Sequence, residues 1–274
     1  MKQLPGKFIS TIHYLIWTFF FTVLLNAKPA CAAYGQGIVT FTTPVAKPSH
    51  MNRIINYNLD PSSARFFVCV PRGYTPAQPS GLIVYCSCGE RQGLPDGWAD
   101  ELDRHRLLFV APQYAGNMAR ADRLYGLAVL GALEMMRNYN VDKTHVYVAG
   151  FSGGARIASY LAMVHSDIFS GAILSCGCDY YRSVPQVKAT EVIDSAGHLY
   201  GVEPASAVEV AGAKARTKFV LITGNGDFRR GNLLDIYEGG FAHDRFRAKL
   251  IDIPEMEHQD CDGKTLDEAL NFLR

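Results

Sequence analysis

Apolar residues in this chain follow two rhythms. Short unbroken runs at 66–70, 82–85, 107–111, 145–149, 171–175, 219–223 and 249–253 are bounded by proline, glycine or polar clusters, and each predicts a strand. Between them, Tyr125, Ala128, Val129, Ala132, Leu133 and Met136 recur at intervals of three and four, which predicts an amphipathic helix. Ile157, Ala158, Leu161, Ala162 and Val164 make a second such stripe, and Leu266, Ala269, Leu270 and Leu273 a third. A more polar helix-like stretch covers 98–105. Strands that are apolar throughout, rather than on alternate residues, belong to a parallel sheet covered on both faces. The alternation of strand and helix fails between Cys178 and Lys218. Residues 179–214 form an insertion too long for an ordinary loop, expected over the carboxyl edge of the sheet as a lid or substrate wall. A plain surface excursion fits the same residues. Tyr180, Tyr181 and Tyr200 in this stretch could stack on an aromatic acyl group or a sugar.

Composition narrows the class. The 274 residues are 48% hydrophobic with a formal net charge of +1, which suits one large packed domain and excludes disorder. No basic run or aromatic–basic interleave points to nucleic acid. Lys2 and Lys7 precede an apolar stretch over 8–25, and Ala30-Cys31-Ala32 follows with small residues at cleavage spacing. We read 1–32 as a secretory signal peptide, giving a secreted or periplasmic protein. If uncut, residues 8–25 would anchor it to a membrane. Residues 33–64 are then a linker with a weak first strand, and 65–274 the folded domain.

The strand at 145–149 runs directly into Gly150-Phe151-Ser152-Gly153-Gly154, and a helix of small residues follows. This G-x-S-x-G between strand and helix is the setting of a nucleophile elbow, in which a sharp turn lifts the serine hydroxyl above the sheet. Flanking glycines avoid Cβ clashes where the backbone nearly doubles back. A serine needs a base, and the base needs a carboxylate to hold its tautomer. Chain order on such a fold is serine, acid, histidine. Asp227 lies in the turn after the strand at 219–223, and His258 in the loop after the strand at 249–253. Ser152, Asp227 and His258 are therefore the candidate catalytic residues, with Asp235 the fallback acid. The oxyanion hole is assigned to the N–H of Gly153 and to one from Ser87 or Cys88, in the loop after the third strand.

From residue 66 to the last residue, and most densely over 139–155 and Phe169-Ser170-Gly171-Ala172, the chain resembles the α/β-hydrolase superfamily. Within it, the likeness is to the secreted esterase branch of polyhydroxybutyrate depolymerases and feruloyl or acetylxylan esterases. The resemblance implies an α/β-hydrolase fold, serine carboxylester hydrolysis of an ester substrate, no cofactor, and Ser152, Asp227 and His258 as the matching triad. One departure stands out. That branch carries a His-Gly stretch after the third strand, where this chain has Cys86-Ser87-Cys88-Gly89.

Beyond the signal lie Cys69, Cys86, Cys88, Cys176, Cys178 and Cys261. An even number of cysteines in an exported chain predicts disulfides, with at least one bridge beside the active site. The C-x-C spacings do not suit a zinc ribbon. Two other functions share these features. One is a peptidase of the prolyl-oligopeptidase type, which uses the same elbow; the other is a non-catalytic binding protein that kept the fold.

Overall fold

The structure is a computed structural model, and it describes residues 35–39, 59, 64–189 and 203–274. The expected signal segment, most of 33–64, and Tyr200 lie outside those residues.

Eight strands form one sheet in the order β1-β2-β4-β3-β5-β6-β7-β8. They are β1 (Gly35–Val39), β2 (Phe66–Val70), β3 (Ser80–Cys86), β4 (Leu107–Pro112), β5 (Val141–Phe151), β6 (Gly171–Ser175), β7 (Lys218–Gly226) and β8 (Arg247–Glu257). β1 and β2 are antiparallel to their neighbours; from β4 through β8 every pairing is parallel. The central strands β3, β4 and β6 are buried along their whole length, which is why their apolar runs do not alternate. β8 is an edge strand and tolerates Pro254 in its run, because one side of its backbone needs no ladder partner.

Helices cover both faces. On one side lie α2 (Ala121–Asn138), α3 (Gly153–Val164), α4 (Ala207–Arg216) and α5 (Arg230–Asp235), the last continued by a π-helical turn at Ile236–Ala242. On the other lie α1 (Trp98–His105) and α6 (Gly263–Leu273), whose Trp98, Leu102, Leu266, Ala269 and Leu270 close the second core layer. Each layer removes a continuous apolar surface from water, the dominant favourable term in holding helices on a sheet. This is the mostly parallel, two-sided α/β architecture expected from the sequence. The parallel run from β3 to β8 aligns the carboxyl ends of β5, β7 and β8 on one rim, where Ser152, Asp227 and His258 emerge.

Within 179–214, two parts are described. Ala207–Arg216 is a regular helix beside α3, opened by a capping box in which Ser206 and Glu209 satisfy each other's backbone amides. Residues 179–189 are irregular and pinned down by charge. Asp235 accepts the N–H groups of Val187, Lys188 and Ala189 at 2.9–3.0 Å, and Arg156 bonds Asp179 at 2.8 Å.

Candidate active site

The elbow is built from backbone constraints. Ser152 has φ 53° and ψ −117°, a left-sided conformation that costs a non-glycine residue of order 1–3 kcal/mol. Two glycines make the turn possible. A Cβ on Gly150 would sit 2.5 Å from the carbonyl of Gly154, and one on Gly154 would sit 2.2 Å from the carbonyl oxygen of Cys86. Both obstacles are backbone, so neither can move aside. The Ser152 N–H bonds the carbonyl of Ser175 at 2.8 Å, which fixes the turn to the end of β6. Ser152 caps α3, leaving the N–H of Gly153 in the first turn without an intrahelical partner.

The three candidate catalytic side chains meet. His258 Nε2 lies 2.9 Å from Ser152 Oγ, and His258 Nδ1 lies 2.7 Å from Asp227 Oδ1. The Asp227 side chain is fully buried, and that of His258 is 21% exposed. A buried carboxylate needs its oxygens satisfied. Asp227 Oδ2 accepts the Thr223 hydroxyl at 2.7 Å, and Oδ1 also accepts the Arg229 N–H at 3.0 Å. Thr223 had no role in the sequence reading; its place on β7, four residues before the acid in the following turn, was the available signal.

The loop after β3 packs on the elbow, since Gly154 faces the Cys86 carbonyl and the Ser87 nitrogen at near-contact distance. Ser87 Oγ accepts the N–H of Gly89 at 3.3 Å, and the Cys88 carbonyl accepts that of Asn117 at 3.0 Å. Asn117 brings its side-chain amide against Gly153. The loop carrying Ser87 and Cys88 therefore lies against the first turn of α3, where Gly153 follows the serine. Asp235 does not join them: its carboxylate is taken up by the three amides of 187–189. Tyr180 is buried and is not an open stacking platform, and Tyr181 is half-buried beside it. Both donate to Asp244 Oδ2, at 2.8 and 2.6 Å, in a network completed by Arg182. That guanidinium and the two phenols hold the Asp244 carboxyl far below the usual range.

Among the described residues the expected disulfide is not formed: Cys69, Cys86, Cys88, Cys176, Cys178 and Cys261 are free thiols. The sheet explains part of this. Cys86 and Cys178 belong to one core layer, Cys69, Cys176 and Cys261 to the other. Cys176 Sγ lies 3.4 Å from the carbonyl of Gln259, and Cys178 Sγ lies 3.2 Å from that of Asp179. Burial pushes the Cys86 and Cys261 thiols up to about 12, so they stay protonated. Cys176, Asp227 and His258 have ligand-type atoms within 4.8 Å of one another. Those of Asp227 and His258 are already in contact with each other and with Ser152, and the Cys176 thiol is raised by burial and by Asp227, which makes it a poor thiolate donor.

A strained serine between strand and helix, a buried aspartate and a histidine on one rim of a two-sided parallel sheet define the α/β-hydrolase fold. Solved structures agree: the fluorophosphonate-binding serine hydrolase F of Staphylococcus aureus superposes with a TM-score of 0.58 at 14% identity, over 88% of this chain and 99% of that one. No protein-family model matches the chain. Its curated relatives are of the kind its sequence resembles. It is 25% identical over 227 residues to probable acetylxylan esterase A of Neosartorya fischeri, covering 75% of this chain and 57% of that protein. It is 26% identical over 173 residues to poly(3-hydroxyalkanoate) depolymerase C of Paucimonas lemoignei, covering 57% and 39% respectively. The chain thus spans about half the length of the curated relatives it matches.

Proposed function

We propose that this protein is an exported serine hydrolase that cleaves a carboxylic ester through an acyl-enzyme. The observation that carries the reading is the unbroken pair of contacts along Asp227–His258–Ser152, at 2.7 and 2.9 Å. With a proton on Nδ1, the imidazole donates to Asp227, and Nε2 is free to accept the serine proton. As Ser152 Oγ attacks the carbonyl carbon, His258 takes that proton and the buried carboxylate steadies the imidazolium. The carbonyl oxygen gains charge and rests on the N–H of Gly153 and one from Ser87 or Cys88. Collapse expels the alcohol, which receives the proton from His258. Water then repeats the cycle on the acyl-enzyme and releases the acid. No cofactor enters these steps.

Residues 65–274 form the catalytic unit in this reading, 1–32 direct export, and the 179–214 segment walls one side of the cleft. The relatives' names suggest acetylated polysaccharide or polyester as the ester. A panel of acetyl, feruloyl, short-chain acyl and hydroxybutyrate-oligomer esters, with matched amides and Ser152→Ala as control, tests this. Turnover of at least one ester class, lost in Ser152→Ala, supports the reading. Amide cleavage that exceeds ester cleavage moves it to a peptidase, and absence of all turnover moves it to a binding protein.

A further inference from the structure

The candidate base is held on its faces as well as its edge. The ring of Phe228 lies 4.2 Å from the His258 ring, centroid to centroid, at an interplanar angle of 37°. On the elbow, Phe151 lies 5.0 Å from the same imidazole at 50°. Phe228 follows Asp227 directly in the chain, so the turn that delivers the carboxylate to Nδ1 also lays an aromatic face on the ring. Phe228 is 63% exposed. An exposed phenylalanine contributes little to folding. Its closest aromatic partner is the imidazole, and the Arg229 guanidinium lies 5.5 Å from its centroid.

This geometry acts on one protonation state more than the other. The face of an aromatic ring carries negative quadrupole density and attracts a cation over it. The imidazole is neutral in the resting relay and cationic once it holds the serine proton. A contact that strengthens as charge develops lowers the barrier, whereas one equally strong throughout does not. Stacking also restrains rotation of the ring about its side-chain torsions, which keeps Nε2 on Ser152.

We propose that Phe228 is a positioning residue for His258, holding the imidazole against its tilted ring and favouring its protonated form during acylation. The inference rests on reading Ser152, His258 and Asp227 as a working triad. The other charged or titratable groups around the imidazole are Asp227 and Arg229 from the turn after β7, Cys176 just past the end of β6, Glu257 beside it on β8, and buried Asp260 two residues further on. None of them changes in the variants below.

The test compares Phe228→Leu, which keeps apolar bulk without a π face, and Phe228→Tyr, which keeps the face, on p-nitrophenyl acetate. Phe228→Leu should lower kcat about two- to fivefold with KM little changed, and move the acid-side midpoint of kcat/KM down by about half a pH unit, the scale of one exposed cation–π contact. Phe228→Tyr should restore both. Unchanged thermal unfolding in both variants, expected for an exposed side chain, removes misfolding as the cause. Wild-type kcat and pH profile in Phe228→Leu would overturn the proposal, as would a change in KM alone. The triad reading is judged apart from this, by whether Ser152→Ala abolishes turnover.

Discussion

The Thr223 hydroxyl donates to Asp227 Oδ2 at 2.7 Å, four residues apart along the end of β7, both side chains shut away from water. The bond satisfies the carboxylate oxygen that His258 does not use, and it fixes which oxygen faces the imidazole. Thr223→Val is nearly isosteric and deletes only the donor. An unsatisfied buried carboxylate oxygen costs about 1–3 kcal/mol. Thermal unfolding should register that loss, and kcat on a simple ester should fall by about tenfold with KM largely kept.

The elbow's two central glycines should respond differently to the same methyl group. In Gly154→Ala the new Cβ meets the backbone carbonyl of Cys86 at 2.2 Å, which cannot give way without moving β3. We expect a loss of several kcal/mol or insoluble protein. In Gly153→Ala the obstacle is the side-chain oxygen of Asn117 at 2.1 Å, the end of a flexible group that can swing aside. That variant should fold. Comparing midpoints of denaturant unfolding separates the two.

Asp235 offers a different contrast. It spends its carboxylate on the N–H groups of Val187, Lys188 and Ala189. Asp235→Ala should therefore release 187–189, seen as faster limited proteolysis there, with ester kcat altered less than fivefold. A fall of about 10⁴-fold, the scale for loss of a triad carboxylate, would make it the acid instead.

Asp260 links this rim to pH. Its carboxyl accepts the Tyr85 hydroxyl at 2.7 Å, and burial raises it from 3.8 to about 6, partly offset by that hydrogen bond. Between pH 4 and 6 the folded protein retains a proton that the unfolded chain has already released. Stability from this residue is thus full below pH 4 and is lost as pH rises through 6. Asp260→Asn should match the parent near pH 4 and exceed it above pH 6 by about 1–3 kcal/mol. Urea unfolding at pH 4, 5, 6 and 7.5 checks the sign: a gap that closes on raising pH would contradict it.

Local pattern carried much of this molecule. The runs at 66–70 and 171–175 are β2 and β6 to the residue, and 98–105 is α1, because apolar periodicity and burial coincide there. Ser152, Asp227 and His258 were legible because each follows a strand whose end the parallel topology brings to one rim. What escaped was stretches without a strong apolar stripe. Helix α4 buries only Val210 and Ala213, and its clearest signal was the Ser206–Glu209 capping box rather than periodicity. The Tyr180–Asp244 and Asp235–Lys188 contacts join residues 64 and 47 positions apart, which no local window contains. The cysteines were misleading for a related reason. Proximity to strand ends does not reveal which side of the sheet a thiol faces.

The central claim is that Ser152 is the nucleophile of a relay through His258 and Asp227. Its most direct test is intact-mass and peptide mapping after reaction with a fluorophosphonate, run beside Ser152→Ala and His258→Ala. One adduct is expected, on the peptide containing Ser152, absent from Ser152→Ala and slowed by orders of magnitude in His258→Ala. An adduct on another residue, or undiminished labelling of Ser152→Ala, would contradict it.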